Sequence, residues 1–341
     1  MSPSEAHSSE TLIEFGVGET RAILLDASGA IAEAHVERAT DGWRCGDVRE
    51  VRLATILVPG VRGIVTANGH EALLEPLPRY LTEGITTRVE IVRAAVPEAG
   101  RPRLAKAVAT TDAVRDGKTL AERLAARKLA VKTLAAHQPD AFEAAGWSEL
   151  VETAMTGHVP FPGGSLTISP TPAMTVIDID GALPPIELAN AAAAALASVI
   201  RRFGLAGSIG IDFPTVGDKA ARARIGELVD AGFAQAGIAR FERTAVNGFG
   251  FMQIILPRDR PSLVERMRGD PVQTAALRLL RQAERSIGTG ARTLVAAPVV
   301  IAWFTANPAL TVELERRLGV SIVLQGAPSL AISAGHVAVR P

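Results

Sequence analysis

Cysteine is almost absent from this 341-residue sequence: Cys45 stands alone. One thiol excludes an intrachain disulfide and any multi-cysteine zinc site. It fits a reducing compartment, because disulfides mark oxidising ones, and a cytoplasmic protein is expected. Net charge is missing too, with 36 Lys and Arg against 36 Asp and Glu. That excludes the simplest argument for a generally basic nucleic-acid binder and leaves only local patches. The longest apolar stretches, 189–200 and 294–304, fall short of the ~18 residues a membrane span requires, so no membrane partner is expected. The opening MSPSEAHSSET has no basic region followed by an apolar one; it reads as a polar tail rather than a secretory leader. Aromatics make up 4% of the chain, so packing must come from Ala, Leu, Val and Ile. No GxSxG and no GK[ST] occurs, which argues against a serine hydrolase and a phosphate-loop nucleotide site. The six histidines have no ligand spacing.

What is present is a sequence of patterned segments, and a mixed α/β (α+β) architecture follows from them. Residues 11–38 read as a hairpin about the turn Asp26-Ala27-Ser28-Gly29, within an N-terminal region 1–49. Residues 50–110 hold five short β-type runs separated by Pro59-Gly60, Asn68-Gly69, Glu83-Gly84 and Gly100; that spacing suggests a small closed barrel of the OB type. Residues 111–157 read as a helical connector. Residues 158–268 alternate strand and helix, which argues for helices packed on a sheet. Asn190 is expected to cap an alanine-rich helix, and Asp218 the next one. Residues 269–341 repeat the style in a small C-terminal α/β unit.

Two apolar strands carry carboxylates. One is Ala173-Met174-Thr175-Val176-Ile177-Asp178-Ile179-Asp180; the other is Gly207-Ser208-Ile209-Gly210-Ile211-Asp212-Phe213. A carboxylate in an apolar strand is costly unless it is paired or bound to a cation. Asp178 and Asp180 share a face because side chains alternate along a strand. If the two strands are parallel neighbours, Asp178 and Asp212 converge near the carboxyl ends, where open α/β sheets bind ligands. Carboxylates without Cys or His suit Mg²⁺, which takes one or two of them plus water and phosphate oxygens. The alternative is that both aspartates merely cap the turns that follow.

Several segments, in order, resemble the ribonuclease E/G family of bacterial endoribonucleases. GETRAILLDASGAIAEAHVER is similar to the family's opening hairpin, and ATILVPGVRGIVTANGHEALLEP to a strand pair of its RNA-binding barrel. PGGSLTISPTPAMTVIDIDG and IRRFGLAGSIGIDFPTV are similar to its two catalytic aspartate motifs. AVNGFGFMQIILPR and RTLVAAPVVIAWF with GVSIVLQGAPSLA are similar to later segments. The resemblance implies that Asp178 and Asp212 bind Mg²⁺, and that Asp180 stands where the family has a catalytic Asn. It places RNA-contacting cations at Arg101, Arg103 and Lys106 near the last barrel strand, and at Arg258.

The chain also departs from that pattern. The zinc-link cysteines are missing, so no zinc is expected and any homo-oligomer would form without that link. The segment that senses a 5′-monophosphate is missing. The barrel's aromatic positions read Ile64-Val65 and Leu73-Leu74, leaving Tyr80, and Gln253 and Leu256 replace a Glu and an Arg. Three basic stretches, 88–106, 115–132 and 240–268, read equally as RNA-facing or as ordinary solvated faces. The expectation is an Mg²⁺-dependent endoribonuclease cleaving single-stranded RNA to a 5′-phosphate and a 3′-hydroxyl. The alternatives are a catalytically impaired RNA-binding or scaffold protein of the same family, and a small-molecule α/β enzyme.

Overall fold

The computed structural model describes residues 10–98, 100 and 102–339. The polar tail 1–9 and Arg101 lie outside the described residues.

Strands β1 (Thr11–Gly16), β2 (Glu19–Leu25) and β3 (Ile31–Arg38) form an antiparallel meander. The expected turn is there: the Asp26 carboxylate accepts from the Ser28 and Ala30 backbone N–H groups at 2.8 and 3.1 Å. The single hairpin read from the sequence is corrected to three strands. A second reversal lies at Val17-Gly18, where Gly18 takes φ 75°, a conformation that costs glycine little.

Strands β4 (Val48–Val58), β5 (Arg62–Ala67), β6 (His70–Leu74), β7 (Thr86–Arg93) and β8 (Ala105–Ala109) close a five-stranded barrel in the order β4-β5-β6-β8-β7. All pairs are antiparallel except β6 with β8. This closed barrel is compatible with an OB-like fold. Alternation fills it: Leu53, Val65, Leu74, Val89 and Ile91 are buried inside.

The connector is not wholly helical. Between α1 (Leu120–Ala126) and the pair α2 (Ala141–Ala144) and α3 (Trp147–Thr156) runs β9 (Val131–Leu134). It pairs in parallel with β1 and completes a sheet in the order β3-β2-β1-β9. The barrel is therefore inserted into the chain between two parts of one sheet.

The next sheet holds β10 (His158–Phe161), β11 (Gly164–Pro170), β12 (Thr175–Gly181), β13 (Gly207–Asp212), β14 (Glu242–Arg243) and β15 (Phe251–Leu256), in the order β10-β11-β12-β13-β15-β14. Helix α4 (Pro185–Phe203) joins β12 to β13, and α5 (Lys219–Gln235) follows β13. Asn190 does not cap α4. The helix begins at Pro185, whose missing N–H costs nothing in the first turn, and Asn190 falls inside it. Asp218 caps α5 as expected, accepting from Ala220 and Ala221 N–H at 3.1 Å. Helix α4 packs on β10, β11 and β12 and also on β3. Its apolar face shares one core with Ile23, Val36, Ile177 and Ile211, so the two sheets are welded through it.

Helix α6 (Leu263–Gly269) leads into α7 (Pro271–Glu284), β16 (Arg292–Ala296), α8 (Pro298–Ala306), α9 (Pro308–Leu318), β17 (Ile322–Gly326) and β18 (His336–Val339). These last strands form a small sheet, β17-β16-β18, with its own core. A buried ion network bolts this unit to the N-terminal sheet. Glu14 accepts from Arg21 Nε at 2.5 Å and also holds Arg285, while Glu19 holds Arg281 and, at 3.3 Å, Arg38. Arg21 packs against the rings of Phe142 and Trp147, 4.1 and 5.0 Å from their centroids. Burial, and after it Arg281, lower the Arg21 guanidinium to about 10. No helix among the described residues is long and apolar enough to cross a membrane.

Candidate functional site

Strands β12 and β13 are parallel neighbours, and Asp178 stands opposite Asp212 in register. Adjacent strands lie about 4.8 Å apart, so the two carboxylates project side by side from one face. The sequence explains which face. Ile177 and Ile179 are buried under the helices, and so are Ile209 and Ile211, which turns Asp178, Asp180 and Asp212 to the opposite, exposed side. The pair sits on the uncovered face of the sheet, Asp212 at the carboxyl end of β13 and Asp178 within β12, which continues to Gly181.

The register extends the row across the sheet. His158 opposes Thr167, Thr167 opposes Asp178, and Asp212 opposes Phe251. One step along, Ser165 opposes Asp180. The floor beside the pair is apolar: a Cβ on Gly210 would lie 2.6 Å from Cζ of Phe251 and 2.8 Å from Sδ of Met174, so both side chains occupy the space that glycine leaves.

Burial, then the charge of Asp180, then that of Asp212, raise the Asp178 carboxyl above its ordinary range, against a hydrogen bond from the Ile179 N–H. A bound divalent ion would relieve that repulsion. Among the described residues no group of three or more His, Cys, Asp or Glu is gathered to hold a metal. Two carboxylates with open space above them still fit Mg²⁺, which fills its other positions with water and phosphate oxygens.

The basic residues inferred from the resemblance are placed differently. Arg103 reaches Glu98 at 2.7 Å and the Pro172 carbonyl at 2.5 Å, which ties the barrel to the loop before β12. Lys106 pairs with Glu75 at 2.8 Å. Arg258 is largely buried against Glu265. The stretch 115–132 is likewise tied down, with Arg115 on Glu90, Arg123 on Glu37 and Arg127 on Glu33. Sequence reasoning missed the barrel's outer tip, where Arg62 and Arg79 are exposed beside Tyr80, itself 75% exposed. The Pro59-Gly60 turn signal pointed there. Of the aliphatic positions in the barrel, Val65 and Leu74 are core, while Ile64 and Leu73 pair on the outside.

A cavity of about 900 Å³ lies away from the carboxylates, between β3, the barrel and α6. Its lining mixes Arg38, Arg123 and Arg266 with Glu37, Asp41 and Asp259, a balance that favours neither an anion nor a cation. Cys45 borders it; burial pushes its thiol up, and so do Asp259 and Glu90, which is the opposite of nucleophile activation.

Compared with protein-family models and with curated protein sequences, the chain matches none.

Proposed function

We propose that the chain is an Mg²⁺-dependent endoribonuclease acting on single-stranded RNA. The observation that carries this reading is the lateral pairing of Asp178 with Asp212 on the uncovered sheet face, with the Asp178 carboxyl raised by burial and by its two acidic neighbours. Mg²⁺ held by Asp178 and Asp212 would supply charge neutralisation at the phosphodiester and orient a water for attack.

The protein's own groups do the rest. Asp178 and Asp212 would hold the ion on the exposed face of the sheet. Asp180 offers only acceptor oxygens where an Asn would also donate. Gln253 donates from Nε2 to Ser208 Oγ at 2.9 Å on the same face, so its amide is fixed. The barrel, read as an OB-type RNA module, would grip backbone phosphates with Arg62 and Arg79 at its tip.

A second reading, an RNA-binding or scaffold protein without turnover, is favoured by one observation: on the site face Gln253 stands where the resemblance has a Glu, and its amide is taken up by Ser208. Incubating the purified protein with single-stranded RNA and Mg²⁺ separates the two. The nuclease reading requires cleavage leaving 5′-phosphates, abolished by EDTA and lowered at least about 100-fold, the scale of lost electrostatic stabilisation, in Asp178→Asn and Asp212→Asn. RNA retention without cleavage, indifferent to metal, supports the scaffold.

A further inference from the structure

We infer that Phe249 and Phe251 form a base-stacking shelf for the unpaired nucleotide flanking the scissile phosphate, an inference that rests on the nuclease reading of the Asp178–Asp212 face.

Phe249 is 84% exposed in a chain with very few aromatics. It is not a loose side chain on a loose loop. The Asn247 carboxamide oxygen accepts from the N–H groups of Phe249 and Phe251 at 2.9 and 3.0 Å. Gly250 N–H donates to the Asn247 carbonyl at 3.1 Å, and Asn247 N–H to the Phe251 carbonyl at 3.0 Å. The turn is then stitched to the strand end that carries the carboxylate: Phe213 N–H donates to the Gly250 carbonyl at 3.1 Å. Gly250 takes φ 94°, and a Cβ there would lie 2.2 Å from the Phe213 carbonyl oxygen, so the backbones approach as closely as glycine permits. The fold thus fixes the backbone that displays Phe249 in solvent, next to the strand end that carries Asp212.

Phe251 continues the surface. It opposes Asp212 in register, one strand spacing away, and its ring lies over Gly210 beside Met174. An apolar, ring-faced floor next to an acidic pair suits a nucleotide whose phosphate meets a cation on the carboxylates while its base lies on the shelf. Stacking is tolerant of sequence because every base has a π-face, so the site takes any unpaired base. On the barrel's β5–β6 face the matching positions are the aliphatic pair Ile64 and Leu73.

The test uses short single-stranded RNA carrying one 2-aminopurine, moved position by position, with fluorescence and affinity read in parallel with Mg²⁺-dependent cleavage. The shelf requires 2-aminopurine quenching at a position adjoining the cleavage site. It also requires a loss of affinity of about 5- to 150-fold in Phe249→Ala, the range for one stacked base. Phe249→Leu should lose as much, and Phe249→Trp should retain binding. Phe251→Leu should reduce quenching at the same position. If the wild type cleaves while Phe249→Ala and Phe251→Leu keep both affinity and quenching, the shelf is refuted and the nuclease reading survives. Phe249-dependent quenching without cleavage would show a stacked base but overturn both the catalytic reading and the shelf's place beside a scissile phosphate. A wild type that neither binds nor cleaves RNA refutes both.

Discussion

Asp178 and Asp212 stand opposite one another on adjacent parallel strands, two like charges on one face, with Asp180 as a third along the same strand. Such an arrangement costs the empty protein stability and rewards whatever cation settles on it.

The first prediction follows from that cost. The raised Asp178 carboxyl binds its proton more tightly folded than unfolded, so its contribution to stability falls as pH rises through the window above the ordinary carboxylate range. At neutral pH, without divalent ions, Asp178→Asn should therefore melt higher than the wild type. Adding Mg²⁺ should raise the wild-type melting temperature, because a ligand bound only by the folded state stabilises it, and should leave Asp178→Asn unmoved. Calorimetric scans with and without Mg²⁺ check both signs; a wild type indifferent to Mg²⁺ contradicts the site.

The buried network around Glu14 predicts the opposite kind of result. Glu14 and Arg21 are almost wholly buried, and removing one partner strands the other charge. Glu14→Ala should cost about 3–5 kcal/mol, read as a lower urea midpoint. The double change of Glu14→Leu with Arg21→Met should recover much of the loss, since apolar replacements of a buried pair are often neutral.

Glu33 gives a prediction with a pH signature. Burial works to raise its carboxyl, but hydrogen bonds from Arg127, His35 and Arg201 outweigh it and hold the group well below the usual range. A depressed carboxylate contributes stability that is present above its unfolded pKa of about 4.3 and lost as pH falls further. Glu33→Gln should be less stable than the wild type at pH 7 by about 2 kcal/mol. The gap should close as the buffer is taken below about pH 4; a gap independent of pH would mean that packing, not charge, sets the cost.

Gly250→Ala tests the turn that displays Phe249. A methyl group there meets the Phe213 carbonyl and an unfavourable φ at once. It should destabilise by on the order of 1–3 kcal/mol in chemical unfolding, whereas the neighbouring Gly248→Ala, with nothing within 4 Å of the new atom, should cost much less.

Local signals made most of this architecture readable. The five barrel strands follow from period-2 runs punctuated by Pro59-Gly60, Asn68-Gly69 and Glu83-Gly84, because those turns are specified by neighbouring residues. Alternation of Ile with Asp in Val176-Ile177-Asp178-Ile179-Asp180 revealed which side chains share a face. What escaped was non-local. Strand β9 is four residues long with Lys132 and Thr133 exposed, and only its partner β1, far back in the chain, makes it a strand. Asn190 looked like a cap because an alanine run has no visible start; Pro185 sets the true one. The positions of Arg103, Lys106 and Arg258 followed from the resemblance, but the carboxylates that engage them come from elsewhere in the chain. Phe249 and Phe251 drew no separate reading from the sequence, since exposure is decided by the turn and not by composition.

The insertion of the barrel between β3 and β9 imposes an order on synthesis. At about 5–20 residues per second, β1 leaves the ribosome well before its parallel partner exists, and its outer edge waits unpaired, open to other nascent chains. The barrel is contiguous in sequence and encloses its own apolar interior, so its strands, unlike β1, have all their partners in place before β9 is made.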